Sequence, residues 1–365
     1  MTVRTKRRRV FLTVVMGVAL YGCEAPGTAG GAGAESAGVS PVITAHAGNR
    51  APEAIDAEKE GRKDFAVWLD ALKTQARDER QIKPDVLERA LKGIKPLPRV
   101  IELDRRQPEF TLSFQDYLVR TVSKERITTG RRKMAAHSRL LTEIGTLYGV
   151  PPRFIVALWG IETDFGRLTG TFRVVESLAT LAYDGRRSAY FRRELLDALT
   201  ILDEGHILPE RMVGSWAGAM GQNQFMPSSF LRFAKDHDGD GRRDIWNTTA
   251  DVFASTANYL ATSGWQKEQG WGQAVRLPDA TLAERKVHKS LAEWAALGVT
   301  RVDGRALPGQ SLPTMLVLPN GGDLPPGKGG AAFLVQENYE VLLKWNRSNL
   351  FALAVGHLAD HLRDG

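Results

Sequence analysis

One carboxylate stands apart in the stretch Phe154-Ile155-Val156-Ala157-Leu158-Trp159-Gly160-Ile161-Glu162-Thr163-Asp164-Phe165-Gly166. No side chain from Phe154 to Ile161 carries a charge, and Gly166 can supply the left-handed stop that ends a helix. Glu162 therefore falls at the end of an apolar helix. Such surroundings disfavour the charged form of a carboxyl group and raise its pKa. An acid still protonated near neutrality can protonate a glycosidic oxygen. The stretch also fits an exposed glutamate at a helix end, a role without chemistry. Asp164 is a rival acid, but just past a helix it more readily makes local backbone hydrogen bonds.

A second cluster is Gly214-Ser215-Trp216-Ala217-Gly218-Ala219-Met220-Gly221-Gln222-Asn223-Gln224-Phe225-Met226-Pro227-Ser228-Ser229-Phe230. Its glycines let backbone approach a ligand closely. Its amides and hydroxyls suit sugar hydroxyls and acetamido groups, and its aromatic rings suit sugar faces. A tight loop before a helix capped by Ser228 shares this composition. Next comes Asp236-His237-Asp238-Gly239-Asp240-Gly241-Arg242-Arg243-Asp244. This reproduces the first half of a calcium loop, with oxygens at positions 1, 3 and 5, glycine at 6 and the Arg242 carbonyl at 7. Position 12 is Asn247 instead of a bidentate glutamate, which weakens the site or relaxes its selectivity. His237 reads as a loop residue, and a solvated Asp/Gly turn is the plain alternative.

Helices must carry these groups. Phe65, Trp68, Leu69 and Leu72 share one helix face from about Asp64 onward. Residues 85–92, 112–122 and 133–148 read the same way. Pro151 and Pro152 stand where a helix begins. Helical segments continue through 173–183, 188–203, 227–235 and 249–263. From 266 to 332 the texture turns to glycine, proline and short β-prone runs, such as Thr314-Met315-Leu316-Val317-Leu318. This predicts a small β-containing subdomain. Residues 336–361 return to helix, and no internal repeat is evident. The expected class is mainly α with some β (α+β).

The 365 residues allow one large domain or two to three smaller ones. No apolar run reaches the roughly 18–20 residues of a membrane span. The net charge of +7 owes five of its cations to Arg4, Lys6, Arg7, Arg8 and Arg9. Without them 44 basic residues face 42 acidic ones, about +2. That gives little case for a nucleic-acid binder, so attraction to an anionic polymer must come from local patches. The single cysteine, Cys23, excludes an intramolecular disulfide. It follows a basic segment and the apolar run Val10–Leu20, which reads as a secretory signal over 1–22. Leu20-Tyr21-Gly22-Cys23 resembles a bacterial lipobox, with Tyr21 larger than usual, and implies lipidation of Cys23. A plain signal peptide with an incidental cysteine is the alternative. Glu24 after the cysteine resembles outer-membrane sorting, and Arg8-Arg9-Val10-Phe11-Leu12 looks like a twin-arginine signal. Residues 23–55 then form a lipid-anchored flexible linker rich in Ala, Gly, Ser and Pro.

Several motifs now stand in a fixed order: Gly160 to Gly166, Arg186-Arg187 with Tyr190-Phe191, Ala217 to Ser229, the Asp-rich loop ending in Ile245-Trp246, and Ala257-Asn258-Tyr259-Leu260. In order and spacing they resemble the membrane-bound lytic murein transglycosylase B family, from about residue 64 to the C-terminus. The resemblance implies a lysozyme-like catalytic core within 56–265, completed by 333–365, with an N-terminal helical region and the β-containing subdomain of 266–332. It implies cleavage of the MurNAc–GlcNAc bond of peptidoglycan glycan strands. Glu162 gives its proton to the glycosidic oxygen and then takes one from the muramyl C6 hydroxyl, which closes a 1,6-anhydro ring. By motif position, Ser215, Gln224 and Phe225 should meet the sugar, and Tyr259 should pack near Glu162. Asn346 and Trp345 match the family's Tyr-Asn segment, with Trp345 keeping the aromatic platform and losing the hydroxyl. Arg186 and Arg187 could attract peptide-stem carboxylates, and Tyr117 is a further match. Asp251 would close a lengthened metal loop with Asp236, Asp238, Asp240 and Arg242 around a structural Ca2+ or Na+. No cofactor is implied for catalysis. The implied place is the bacterial periplasm, lipid-anchored to the outer membrane.

Two other functions fit the same residues. A lysozyme-type hydrolase shares Glu162 and the substrate but uses water as nucleophile. A non-catalytic cell-wall-binding protein keeps the groove alone, and retention of Glu162 argues against it.

Overall fold

The computed structural model describes residues 64–106, 112–278, 282, 287–307, 311–319 and 332–363. Cys23, the signal segment and the linker lie outside the described residues. The chain opens with α1 (Phe65–Arg80), α2 (Pro84–Leu91), α3 (Pro98–Arg105) and α4 (Phe114–Thr121). Then come α5 (Lys124–Ala136), α6 (Ser138–Tyr148) and α7 (Pro152–Thr163). A short strand β1 (Phe172–Arg173) precedes α8 (Val174–Asp184) and α9 (Ser188–Asp203), and β2 (Val213–Gly214) precedes α10 (Pro227–Phe233) and α11 (Thr249–Thr262). Five strands and one helix follow: β3 (Gly272–Arg276), β4 (His288–Ser290), α12 (Leu291–Ala296), β5 (Thr300–Arg301), β6 (Pro313–Val317) and β7 (Ala332–Val335). The chain closes with α13 (Glu337–Trp345) and α14 (Asn349–Arg363).

Two apolar cores divide the helical mass. The first joins α6, α7, α11, α13 and α14, with α14 lying along α7. The second joins α1, α2, α8, α9, the Gly-rich turn and α10. Tyr259 and Trp345 pack against both, so they mark the seam between the cores. The five strands form one antiparallel sheet in the order β4-β6-β7-β3-β5. Trp294, Leu334 and Val275 give this sheet a small core of its own. Strand β7 is buried throughout and runs directly into α13.

Local chemistry explains most helix boundaries. Asp64 caps α1 by accepting the Ala66 N–H at 2.7 Å. Pro152 occupies the first turn of α7, where its missing N–H costs nothing. The helix expected over 133–148 is instead broken at His137, between α5 and α6. Helix α5 buries only Gly130 along its length, so its sequence lacks the apolar period that reveals a helix. Among the described residues no single helix is long and apolar enough to cross a membrane. The apolar pair α6 and α7 is bent by 110°, and α7 is a core helix.

Ser228 is not the cap of α10. It lies inside the helix, and the cap is supplied from α9 by Glu194, which is 4% exposed. Its two carboxylate oxygens accept the Ser228 N–H at 3.0 Å and hydroxyl at 2.7 Å. Burial pushes the Glu194 carboxyl above its ordinary value, while these two bonds oppose the rise. Glu194→Ala removes both partners from the helix start. It should lower unfolding stability by about 1–3 kcal/mol in denaturant titrations, whereas Glu194→Gln, which keeps one acceptor, should lose less.

Candidate active site

Glu162 lies in the last turn of α7, whose residues Phe154 to Ile161 are all buried. Its carboxyl group reaches the wall of a groove of about 650 Å3. Ser215, Gln224, Asn346, Ile161 and Thr163 line the same groove. The side chain keeps some solvent contact there, yet protein packs closely around it. Burial therefore pushes its pKa up to about 7, and a hydrogen bond from Trp345 opposes the rise. That bond runs from indole Nε1–H to Glu162 Oε1 at 2.8 Å.

The backbone beyond Glu162 turns sharply. Asp164, Phe165 and Gly166 all have positive φ, at 51°, 60° and 83°. The helix stop begins at Asp164, two residues before the glycine expected to make it. Asp164 is held by ion pairs to Arg126 at 3.6 Å and Arg167 at 2.6 Å, beyond the local bonding expected for it. Gly166 suits its positive φ, and a Cβ there would lie 2.2 Å from Gln222 Oε1 and push that side chain aside. That close approach joins α7 to the Gly-rich turn. Trp159 Nε1–H donates to Gln222 Oε1 at 2.8 Å, and the Thr163 hydroxyl donates to the Gln222 carbonyl at 3.0 Å. Gln222 Nε2 donates in turn to the Trp246 carbonyl at 2.9 Å. Strands β1 and β2 add a second link, pairing Phe172 with Gly214.

The polar residues of the turn have fixed poses. Ser215 Oγ accepts the Ala219 N–H at 3.0 Å. Gln224 adopts a positive φ of 51° and its Nε2 donates to the carbonyls of Thr169 and Gly221. Asn346 Oδ1 accepts the Ser348 N–H at 3.0 Å. Behind these groups lies an aromatic stack. The Trp345 ring meets Tyr259 at 4.7 Å and Phe225 at 5.2 Å between centroids. The Tyr259 hydroxyl donates to the Lys344 carbonyl at 2.6 Å, fixing the end of α13. Tyr259 thus approaches Glu162 through Trp345.

Three expectations change. Phe225 is 3% exposed and backs Trp345, so it supports the groove instead of facing a sugar. Arg186 and Arg187 bind the carboxylate of Asp104 on α3, at 3.4 Å and 2.6 Å, and neither lines the groove. Asp104 is buried, so these cations balance a desolvated charge and tie α3 to the turn between α8 and α9. Tyr117 is buried in the first core. Burial raises its hydroxyl pKa, the nearby Glu162 charge adds to that, and a Thr121 hydrogen bond opposes it. Sequence reasoning also missed Gln222. It is one amide in a run of three, and nothing but its contacts sets it apart.

In the acidic loop, ligand oxygens of Asp236, Asp238 and Asp251 lie within 4.8 Å of one another. Asp251 is fully buried, and its two oxygens accept the N–H groups of His237 and Asp244 at 2.8 and 2.7 Å. Burial pushes its carboxyl up, and the charges of Asp238 and Asp236 add to the rise. Two carboxylates gathered beside a buried third suit a hard cation. Asp240 stands outside this trio; its Oδ1 accepts the Arg242 N–H at 2.8 Å.

The buried acid makes stability depend on pH. Unfolded, Glu162 ionises near its ordinary value of 4.5, and folded near 7. The native state holds a proton that the unfolded state releases, so this group erodes stability as pH rises from below 4.5 to above 7. Glu162→Gln removes the dependence. Its thermal midpoint should match the unaltered protein near pH 4 and exceed it at pH 8, by about 1–3 kcal/mol in stability.

Residues 64–360 match the family model described as transglycosylase SLT domain. Membrane-bound lytic murein transglycosylase B of Escherichia coli (strain K12) is 35% identical over 218 residues, which span 58% of this chain and 57% of that protein. SltB3 from Pseudomonas aeruginosa, solved in complex with NAG-anhNAM-pentapeptide, is 44% identical. That superposition covers 83% of this chain and 80% of SltB3, with a TM-score of 0.77. The Escherichia coli lytic transglycosylase Slt35, solved in complex with calcium, is 28% identical over 81% of this chain and 92% of that one, with a TM-score of 0.70. The mainly helical chain, with its lysozyme-like core and small sheet, belongs to the transglycosylase SLT domain family.

Proposed function

We propose that this chain is a lytic transglycosylase that cleaves the bond between MurNAc and GlcNAc in peptidoglycan and leaves 1,6-anhydro-MurNAc ends. The observation that carries the reading is the Glu162 carboxyl, poised near pKa 7 on a groove wall beside Ser215, Gln224 and Asn346. In the neutral form it protonates the glycosidic oxygen as the C–O bond breaks. The carboxylate left behind takes the proton of the C6 hydroxyl as that oxygen bonds to C1. Trp345 Nε1–H steadies the carboxylate between the two steps. The proton returns to Glu162, so the acid is restored without water being consumed.

A second catalytic carboxylate would suggest ordinary hydrolysis. Asp164 also lines the groove, but Arg126 and Arg167 hold its charge. This favours a single acid/base, with the substrate's own acetamido group stabilising the cation. The NAG-anhNAM-pentapeptide held by SltB3 supports the same substrate class. We also place the protein in the periplasm, anchored to the outer membrane through Cys23, on the lipobox-like motif alone.

Digestion of purified sacculi tests the chemistry by product mass. The unaltered protein should give anhydro ends, lighter by one water than reducing ends. Glu162→Gln should fold and lose roughly 10²–10⁴-fold or more in rate. Reducing ends from the unaltered protein would point to hydrolysis, and full activity in the variant would remove Glu162 from the mechanism.

We further propose that Asp236, Asp238 and Asp251 hold a structural Ca2+ or Na+. The approach of Asp236 and Asp238 to the buried Asp251 and the calcium complex of Slt35 support this. Calcium should raise the thermal midpoint by a few degrees and a chelator should reverse it. Asp236→Ala should abolish the response; an undiminished response in that variant would end the metal assignment.

A further inference from the structure

Two helices end at the proton-handling pair. Helix α7 carries Glu162 in its last turn, and α13 carries Trp345 as its last residue. Both also begin against one segment, the turn 264–270 between α11 and β3. Trp265 of that turn packs its ring on Phe154, in the first turn of α7, at 4.6 Å between centroids. Asn338, in the first turn of α13, meets the same segment with its side-chain amide. Phe154 and Glu162 are eight residues apart, and Asn338 and Trp345 seven. At about 1.5 Å per residue the two arms measure about 12 and 10 Å. The 2.8 Å hydrogen bond between Trp345 and Glu162 joins their far ends.

Asn338 is fully buried. Its Oδ1 accepts the Gln266 N–H at 2.7 Å, and its Nδ2 donates to the carbonyls of Gln266 and Gln269, each at 2.9 Å. One side-chain amide thus pairs with three backbone groups of the turn. The Gln336 N–H adds a bond to the Trp271 carbonyl at 2.9 Å. The far end of α13 is tied at the surface. There the Tyr259 hydroxyl donates to the Lys344 carbonyl at 2.6 Å, and Lys344 Nζ donates to the Ser263 carbonyl at 2.7 Å, both exposed. Water competes for exposed bonds, whereas a buried polar group that loses its partner carries the full cost of desolvation. The buried base therefore fixes where α13 sits, and a stiff helix carries that setting to its tip. A shift of about 0.8 Å at the tip would stretch the 2.8 Å bond to about 3.6 Å, beyond hydrogen bonding.

We propose that Asn338 is a positioning residue for the proton-transferring acid: it pins the start of α13 to the turn after α11 and so holds the Trp345 indole within hydrogen-bonding reach of Glu162. The role rests on the proposed catalysis by Glu162 and extends it to a buried group that does not line the groove. Burial raises the Glu162 pKa and the indole N–H opposes the rise, so losing the indole bond raises it further. The other titratable groups about the acid are Tyr117 on α4, Arg126 on α5 and Asp164. None of them lies on α13 or on the turn.

A carboxyl carbon NMR titration of the full chain tests this without turnover, with the Glu162 resonance identified by its loss in Glu162→Gln. Asn338→Ala should move the Glu162 midpoint up by about 0.5–1 pH unit, roughly a three- to tenfold change in its ionisation constant. Trp345→Phe, which has no donor, should move it as far or further. Beside Trp345→Phe, adding Asn338→Ala should move it by less than about 0.2 pH unit, because the two changes break one link. An unmoved midpoint in folded Asn338→Ala overturns the proposal. So does a shift that persists in full beside Trp345→Phe. Glu194→Ala weakens the fold elsewhere and should leave the midpoint in place; a similar shift there would reveal general loosening and also overturn it. Asn338→Ser keeps one hydrogen-bonding group, should shift the midpoint in the same direction, and gives a folded comparison if Asn338→Ala does not fold. On soluble glycan strands Asn338→Ala should lower kcat about tenfold with KM within about twofold. A raised KM at unchanged kcat would overturn the positioning role. Failure of the cleavage reading would show separately, as absence of anhydro ends from sacculi.

Discussion

A carboxyl group that gives a proton near neutrality and takes another back must be dry enough to stay loaded and still able to ionise. Two opposing influences set that balance at Glu162. Burial at the end of an apolar helix favours the neutral form, and the indole N–H of Trp345 favours the charged one. The position depends on where the two apolar cores meet. Trp345 and Tyr259 pack on both, so the donor is held by the whole interior.

Rigidity around this point comes from unusual backbone. Three successive left-handed residues turn the chain away from α7, and Gln222 stitches that turn to the Gly-rich wall. The acidic loop follows closely: Gln222 N–H donates to the Ile245 carbonyl, and Asp244 accepts the N–H of Trp246. A cation among Asp236, Asp238 and Asp251 would therefore brace the groove from behind, without any part in bond cleavage. The ion pairs of Asp104, Arg186 and Arg187 brace the outer helices in a similar way.

Much of this was legible in the sequence, and the gaps have physical causes. Glu162, Ser215, Gln224 and Asn346 could be placed because each lies within a motif of distinctive order, and they share one groove. Most helices announced themselves by apolar period. Helix α5 did not, because it faces cavity and solvent along most of its length. Arg186 and Arg187 were misread because a basic turn looks alike whether solvated or neutralising Asp104, which lies about eighty residues earlier. Phe225 was misread because an aromatic ring fits equally well on or beneath a groove. The donor role of Trp345 depends on the direction of its indole N–H, which only the return of α13 from the sheet decides.

Strand β7 passes straight into α13, so the last wall of the groove is made by the last part of the chain. Trp345 and Asn346 leave the ribosome some 180 residues after Glu162, and α14 follows them to cover α7. Until then, the glutamate lacks both its drying neighbours and its indole partner. The groove wall around the buried glutamate is thus finished only by the last part of the chain to be made.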